Sequence, residues 1–220
     1  MLNNVDQVYV CHYTKLSERR EVTNSILLDN KISPKWIITN DKEDINQENL
    51  KDFININKPL GLDGVHRNRT LRMSEISLIL KHRDCWLDIV RNSYKSALIL
   101  EDDVLLCDDF LDRFNLQITN ISSDFDIVWI GSCCNLHAQN IVSDKYLYKN
   151  NGSRCTHAYL ISNKCALKML DFVNTNNYPA DFMFNSAISE LGLENYWMEP
   201  DLIVQNPLFD TSIQNDISFI

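Results

Sequence analysis

Short apolar runs alternate with longer amphipathic segments along the first half of the chain. Continuous apolar runs are typical of strands that helices cover on both faces, and apolar residues repeating every three to four positions are typical of helices with one buried side. Strands that alternate with helices in this way favour an α/β fold with a mostly parallel central sheet flanked by helices. The pattern predicts strands at 5–12, 35–39, 97–100 and 125–131, and helices at 16–28 and 68–94.

The second half of the chain mixes the same two patterns less regularly. Two polar stretches of the chain have neither pattern: 40–64 is predicted to be a long loop with one helical turn at 47–53, and 206–220 an irregular tail. Neither a repeat nor a linker divides the 220 residues, so we expect a single domain over 1–220. The remaining predicted elements are helices at 110–118, 163–173 and 179–190, and strands at 145–148, 156–162, 196–198 and 202–205.

Three carboxylates, Glu101, Asp102 and Asp103, directly follow the apolar run 97–100. In an open α/β sheet, ligands bind just beyond the carboxyl ends of the strands, where these side chains would lie. Two carboxylates about 4 Å apart repel each other by roughly 4 kcal/mol at an effective dielectric of about 20, and Mg²⁺ or Mn²⁺ relieves that repulsion. The stretch predicts a metal-bridged phosphate site; the alternative is a solvated acidic loop that caps the next helix.

The overall composition narrows the class of partner. An apolar fraction of 45% and a charged fraction of 23% are those of an ordinary soluble globular protein. The net charge of −9 argues against a nucleic-acid or anionic-membrane partner, since both select clustered Lys and Arg. No run approaches the roughly 20 apolar residues that span a bilayer, so no transmembrane segment is expected. With only five glycines the chain has no Gly-rich phosphate loop, so phosphate would have to be held in another way.

The cysteines and the first residues bear on the compartment. Seven cysteines are an odd number, which excludes a framework in which every cysteine pairs within the chain. Cys133 and Cys134 are adjacent, and adjacent thiols rarely bridge. The opening Met-Leu-Asn-Asn-Val-Asp lacks the basic region and apolar core of a secretion signal. These features favour a reducing, cytoplasmic setting.

Several motifs, taken in order along nearly the whole chain, resemble the family 25 glycosyltransferases, the group of lipooligosaccharide glycosyltransferases and procollagen galactosyltransferases. Two positions depart from the family pattern, because Ser77 and Lys81 stand where it has Gly and Ser. The motifs are the strand at 8–10 with Arg19-Arg20, Glu-Ile-Ser-Leu-Ile-Leu-Lys-His at 75–82, Leu-Glu-Asp-Asp-Val at 100–104, Asp-Ile-Val at 126–128 leading to Gly131, Thr-His-Ala-Tyr-Leu-Ile-Ser at 156–162, Pro-Ala-Asp at 179–181, and more weakly Gln205 with Ser212-Ile213.

The resemblance implies a GT-A-type fold and a UDP-sugar donor. It also implies Mn²⁺ or Mg²⁺ as cofactor and inversion at the anomeric carbon. On this reading 1–105 is the nucleotide-sugar-binding half of the domain and 106–220 the acceptor-side half. The transferred sugar would be a hexose, galactose or glucose, and the acceptor a hydroxyl of a glycan, a glycolipid or a hydroxylated peptide.

The residues Glu101, Asp102 and Asp103, here called the acid stretch, supply the predicted metal ligands. Glu101 and Asp103 have the acid-x-acid spacing of such enzymes, and alternate residues of an extended segment share a face. We therefore predict Asp103 as the best metal ligand with Glu101 beside it, and Asp102 or Glu101 as a ligand of the ribose hydroxyls. The alternative is that all three are simple surface acids.

Two arginines and a histidine are predicted to bind the donor. Arg19, and with it Arg72, would hold the diphosphate, since a guanidinium pairs bidentately with phosphate. His157 would bind a donor phosphate or order the metal's surroundings. The alternatives are a solvated arginine and a structural histidine. Tyr13 and Trp36 are candidates for stacking on uracil, with core packing as the alternative.

An inverting transfer also needs a base that takes the proton of the acceptor hydroxyl. Asp181 is the leading candidate because the family pattern places it after the acceptor-side strand. Its alternative role is to complement the positive end of a helix. Glu75 is the second candidate, and its alternative is a solvated helix face.

Two functions from other classes compete with this interpretation. A receiver-like phosphoacceptor domain also begins with a strand ending in paired acids, but it needs an Asp at the end of a later strand, where Trp129-Ile130-Gly131 stands. It would also leave the 96 residues before Ala97 unexplained. The other alternative is a catalytically inactive GT-A module that binds glycans.

Overall fold

The computed structural model of the protein describes residues 1–46, 50, 69–134, 136–176 and 178–210. Most of the predicted loop 40–64, with nearly all of its helical turn at 47–53, lies outside the described residues. The last ten positions, 211–220, also lie outside them, and with them the weak motif Ser212-Ile213.

The chain begins with a sequence of strand, helix and strand that the hydrophobic pattern predicted. β1 (Gln7–Cys11) is followed by α1 (Ser17–Asp29) and β2 (Lys35–Ile37), and the long helix α2 (Met73–Arg91) leads to β3 (Ser96–Glu101). β1 pairs in parallel with both β2 and β3. The prediction of parallel pairing in the first half is therefore confirmed.

The remaining elements complete two sheets. The large sheet has seven strands in the order β2-β1-β3-β7-β5-β8-β6, and β4 pairs with β9 in a separate two-stranded sheet. Five of the seven strands point the same way, while β7 and β6 run against their neighbours. The elements are β4 (Val104–Leu106), α3 (Phe110–Ile118), β5 (Ile127–Trp129), β6 (Leu147–Lys149), β7 (Ala158–Ser162), α4 (Asn163–Val173), α5 (Ala180–Leu191), β8 (Asn195–Met198) and β9 (Ile203–Gln205).

This arrangement confirms the predicted α/β class with a mostly parallel central sheet and flanking helices, and it is consistent with a GT-A-type fold. β3 lies inside the sheet between β1 and β7, and the residues of its apolar run are fully buried. Successive side chains of a strand point to opposite faces. Ile99 accordingly packs in the core beneath α2, α4 and α5, while Leu98 and Leu100 pack in the core that contains Phe110 and Phe114 of α3.

Helix ends agree with the local sequence in two places. Ser162 caps α4, as predicted, because its hydroxyl accepts a hydrogen bond from the N–H of Cys165. α5 ends at Gly192, whose φ of +60° is a conformation that glycine adopts without strain. The strand β4 was not predicted, since its three residues directly follow the acid stretch.

Cys133 and Cys155 form a disulfide, a pairing that the sequence did not reveal. The other five cysteines are free thiols. Disulfides persist mainly in oxidising compartments, so the cytoplasmic setting stays a prediction. No helix in the described part of the chain combines the length and the apolar character needed to cross a membrane.

Candidate active site

The carboxyl ends of β1, β3, β5 and β8 meet at one edge of the sheet, and a cleft of about 430 Å³ opens there beside β1 and β3. Among the described residues, five parts of the chain line the cleft: the end of β1 with the start of α1, Lys42 after β2, one side of α2, the acid stretch, and the segment 205–210. The acid stretch therefore lies where the ligand of an open α/β sheet is expected.

Asp103 has the least compensated carboxylate of the stretch. Its Oδ1 atom is buried and meets no hydrogen-bond donor among the residues that the structure describes. Burial and the nearby charges of Glu101 and Asp102 raise the pKa of Asp103 to about 7, and Arg19 only partly opposes them. A buried acceptor without a donor costs free energy, so this oxygen is suited to an added cation.

Two neighbouring side chains hold Glu101 in one orientation. Its Oε1 atom accepts a hydrogen bond from the hydroxyl of Thr156 at 2.7 Å and lies 3.9 Å from Nε2 of His82. Burial acts to raise the pKa of Glu101, but His82 and the Thr156 hydrogen bond outweigh it and lower that pKa. His82 is itself fixed, because its Nδ1 lies 2.9 Å from the hydroxyl of Tyr159. Glu101 is therefore a preorganised carboxylate.

Asp102 lies with Asp103 in a turn and lines the same cleft as Glu101 and Asp103, so the alternation predicted for an extended segment does not separate it from them. Its Oδ2 atom lies 2.6 Å from Nδ1 of His12 and accepts the N–H of Tyr13 at 3.3 Å. Its Oδ1 atom lies 3.3 Å from Nη1 of Arg19. Both carboxylate oxygens thus join β1 to α1, and binding of ribose by Asp102 stays a prediction.

Arg19 lies inside the cleft, where the sequence predicted an anion contact. Its Nη1 atom is 3.3 Å from Asp102 and 3.6 Å from Asp103. Its Nη2 atom donates to the carbonyl of Asp210, and its guanidinium lies 5.2 Å from the centre of the Phe209 ring. The segment 205–210 therefore completes the cleft by packing over this arginine, and only Gln205 of this segment belonged to a motif in the sequence.

Glu75 and Arg72 lie at the start of α2. The two oxygens of Glu75 accept hydrogen bonds from Arg69, each at 2.7 Å, and Oε2 also accepts the N–H of Arg72 at 2.7 Å. This is one half of a capping box, in which the third residue of the helix accepts the N–H of the cap residue, because the arginine side chain at the cap can only donate. Within the described residues neither Glu75 nor Arg72 lines the cleft, so their predicted roles in catalysis and in diphosphate binding stay predictions.

Asp181 lies in the first turn of α5, and its carbonyl accepts a hydrogen bond from the hydroxyl of Ser153. α5 leads directly into the start of β8, so its first turn points toward the same edge of the sheet as the acid stretch. In the part of the chain that is described, Asp181 is not among the residues that line the cleft. Its role as base stays a prediction.

His157 lies behind the acid stretch rather than in the cleft that the described residues form. Its carbonyl accepts the N–H of Glu101 at 2.9 Å. Its ring is buried against Gly131, where a Cβ atom would come within 2.2 Å of Nε2. Burial lowers the pKa of His157, so its ring is neutral at pH 7. Gly131 of the family motif is thus explained by the position of this ring, and phosphate binding by His157 stays a prediction.

A second group of candidate metal ligands lies beyond the end of β8. The ligand atoms of His137, Glu199 and Asp201 are within 4.8 Å of one another. Glu199 already accepts the N–H of Ala138 at 2.7 Å and lies 3.1 Å from the guanidinium of Arg154, which is fully buried. The sequence did not reveal this group, because only Glu199 and Asp201 are neighbours along the chain, whereas His137 lies 62 positions before Glu199.

The chain matches known proteins over most of its length. The family model described as glycosyltransferase family 25 (LPS biosynthesis protein) matches residues 5–184. Procollagen galactosyltransferase 1 of Danio rerio is 26% identical over 129 residues, which are 57% of this chain and 21% of that protein. A glycosyltransferase 25 family member of Drosophila melanogaster is 24% identical over 178 residues, 76% of this chain and 28% of that protein. The chain thus spans about a quarter of the length of these relatives.

Among solved structures, a glycosyltransferase involved in the glycosylation of the major capsid of PBCV-1 aligns over 93% of both chains, with 9% identity and a TM-score of 0.47. The family model is the stronger finding, because its match includes the strand β1, the helix α2, the acid stretch and the Pro-Ala-Asp motif. These are the motifs on which the sequence resemblance depended, and the chain therefore belongs to glycosyltransferase family 25.

Proposed function

We propose that the protein transfers a hexose from a UDP-sugar to an acceptor hydroxyl, with a divalent cation and with inversion at the anomeric carbon. The observation that carries this proposal is the Oδ1 atom of Asp103, which is buried in a cleft beside Glu101 and Arg19 and meets no hydrogen-bond donor among the described residues. A site of this charge pattern suits a cation together with a diphosphate. Family membership leaves the receiver-domain alternative without support.

The donor set fits Mn²⁺ or Mg²⁺, with Asp103 and Glu101 as ligands. Carboxylate oxygens are hard ligands, and sites of this type use one or two carboxylates together with substrate phosphates. When bound, the cation would neutralise the negative charge that develops on the departing diphosphate. The raised pKa of Asp103 supports this fit, because it reports a carboxylate that lacks a compensating positive charge.

Arg19 would hold the diphosphate from the other side. Its guanidinium offers five N–H donors in a planar fork. Two of its nitrogen atoms already contact residues that line the cleft, Nη1 the carboxylate of Asp102 and Nη2 the carbonyl of Asp210. Because Arg19 is anchored by Asp102, its charge is oriented before the donor arrives. Preorganised charge of this kind stabilises a developing anion more than a mobile side chain does.

In the transfer, the oxygen of the acceptor hydroxyl would bond to the anomeric carbon from the face opposite the diphosphate. The bond from that carbon to the diphosphate oxygen breaks, and a base takes the hydroxyl proton. Asp181 is the proposed base. Glu75 is the weaker candidate, because both of its oxygens already accept charged or backbone donors from Arg69 and Arg72.

The acceptor would be a glycan, a glycolipid or a hydroxylated peptide. The name of the Danio rerio relative points to procollagen, and the description of the family model points to lipopolysaccharide. A cytoplasmic location remains part of the proposal, supported by the sequence alone.

The test is hydrolysis of a panel of nucleotide sugars, including UDP-galactose and UDP-glucose, with Mn²⁺ and with EDTA. We expect turnover of a UDP-hexose that EDTA abolishes. Asp181→Asn should keep Mn²⁺-dependent UDP binding while losing transfer to an acceptor. A folded wild-type protein that neither binds UDP nor turns over any nucleotide sugar would overturn the proposal. UDP binding without turnover would instead favour the inactive, glycan-binding module.

A further inference from the structure

Two side chains of α2 bind the segment that follows β2. The hydroxyl of Ser77 donates to the carbonyl of Asn40 at 2.6 Å. One turn later, the ammonium group of Lys81 donates to the carbonyl of Thr39 and to the carboxylate of Asp41, the latter at 2.7 Å. Ser77 and Lys81 also line the cleft. They are the two positions where the chain departs from the family pattern.

Asp41 extends this connection to the loop after β1. Its Oδ2 atom accepts both the N–H of Thr14, at 3.1 Å, and the hydroxyl of the same residue. Burial opposes ionisation of Asp41, but the hydrogen bonds from Lys81 and Thr14 outweigh it and lower the pKa of Asp41. A single buried carboxylate thus joins α2, the segment after β2 and the loop after β1.

The joined loops carry two side chains into the cleft. Tyr13 precedes Thr14 and Lys42 follows Asp41, and both line the cleft. The hydroxyl of Tyr13 donates to Glu43 at 2.6 Å, and the ammonium group of Lys42 lies 5.9 Å from the centre of the Tyr13 ring. The result is an aromatic face with an adjacent cation, next to His12, which binds Asp102 of the acid stretch.

The Asp41–Lys81 pair is poorly explained by stability alone. Its side chains are only 5% and 4% exposed, and burying two charges costs about as much free energy as their attraction returns. Apolar residues of similar size would serve a stable core equally well, and in some proteins buried polar pairs of this kind select one arrangement of the chain. Here the selected arrangement is the one that presents Tyr13 and Lys42 to the cleft.

We propose that Asp41 and Lys81, assisted by Ser77, are positioning residues that hold Tyr13 and Lys42 as the nucleobase-binding wall of the cleft. An aromatic face stacks on a planar base, and an ammonium group donates hydrogen bonds to its carbonyl oxygens. This inference rests on the proposed function, because it assigns the uracil end of the same donor site whose diphosphate end is formed by Arg19 and Asp103.

The test compares binding of UDP with binding of inorganic pyrophosphate, both with Mn²⁺, by calorimetry. Pyrophosphate has the diphosphate but no nucleobase, so its affinity reports on the diphosphate end of the site alone. We expect Lys81→Met to weaken UDP binding by about tenfold or more, as misplacement of a binding wall does, and to leave pyrophosphate binding unchanged. The donor KM should rise as the UDP affinity falls, while kcat stays within about twofold. Lys81→Arg should restore most of the UDP affinity.

The matched control is Lys168→Met, because Lys168 pairs with the buried carboxylate of Asp126 far from the cleft. It should change the melting temperature without changing either affinity. Ser77→Ala leaves the ion pair intact and should also weaken UDP binding selectively, but by a smaller factor. If Lys81→Met does not fold, the Ser77→Ala variant tests the inference in its place.

If Lys81→Met weakens the binding of UDP and of pyrophosphate equally, or changes neither, the inference is overturned. The proposed function would still stand in that case, provided that the wild-type protein binds UDP. A wild-type protein that binds neither compound would instead overturn the proposed function, and the inference with it.

Discussion

Two groups of acidic side chains lie at the same edge of the sheet, and they are neutralised in different ways. The group at the end of β8 contains its own cation, since buried Arg154 lies 3.1 Å from Glu199. In the acid stretch at the end of β3, Asp102 and Asp103 share Arg19, and one buried oxygen of Asp103 has no donor in the described structure.

The difference separates a structural ion pair from a candidate binding site. A buried carboxylate that already has an internal guanidinium and a backbone donor gains little from an added ion, and a carboxylate without them gains much. Geometric clustering alone would select the group at the end of β8, because the atoms of His137, Glu199 and Asp201 converge within 4.8 Å. Compensation of charge selects the acid stretch instead, and the predictions below test which of the two criteria holds.

The largest effect is expected at the compensated group. Arg154→Met leaves the carboxylate of Glu199 buried without its partner, which should lower the free energy of unfolding by about 3–5 kcal/mol. Urea unfolding measures this. The double variant Arg154→Met with Glu199→Met should recover part of the loss. A stability unchanged by the single variant would show that the pair is not the internal compensation we describe.

At the uncompensated group the effect falls on function. Asp103→Asn should reduce Mn²⁺-dependent hydrolysis of the UDP-sugar by about 100-fold or more, because it removes a proposed metal ligand, while circular dichroism stays unchanged. Asp108→Asn is the matched control, since Asp108 is an exposed acid a few positions along. Activity retained in Asp103→Asn would contradict the assignment of the metal ligand.

The pKa of Asp103 gives the comparison a pH signature. Folding raises that pKa from 3.8 to about 7, so between these values the folded state binds more protons than the unfolded state. Stability contributed by this group must therefore fall as pH rises through that window. The melting temperature of Asp103→Asn, measured from pH 4 to 8, should exceed that of the wild type increasingly toward high pH. Saturating Mn²⁺ should remove the difference, and a constant difference across the range would contradict this account.

The smallest effect is expected at His137, whose side chain is 50% exposed. His137→Ala should change the free energy of unfolding by no more than about 0.5 kcal/mol and leave the Mn²⁺ dependence of hydrolysis unaltered. Titration of activity with Mn²⁺ checks this. A shifted Mn²⁺ midpoint would mean that the group beyond β8, and not the acid stretch alone, takes part in binding the cation.

Much of the fold could be predicted from the sequence because its signals are local. The helices at 110–118 and 163–173 were predicted with the bounds that the structure has, since amphipathic periodicity and the Ser162 cap are properties of neighbouring residues. The position of the acid stretch beyond a buried strand was equally accessible. The pairing of β7 between β3 and β5, against the direction of both, was not, because no local signal specifies the order of strands.

The roles of individual acids divide along the same line. The sequence alone determined that three carboxylates follow a buried strand and that the chain carries the motifs of family 25. Only the tertiary structure decided that Glu75 is held by Arg69 and that Asp102 is held by His12. It also decided that one buried oxygen of Asp103 has no hydrogen-bond donor among the described residues. The physical reason is that charge compensation depends on which distant segments meet, whereas hydrophobic periodicity and caps depend on residues a few positions apart.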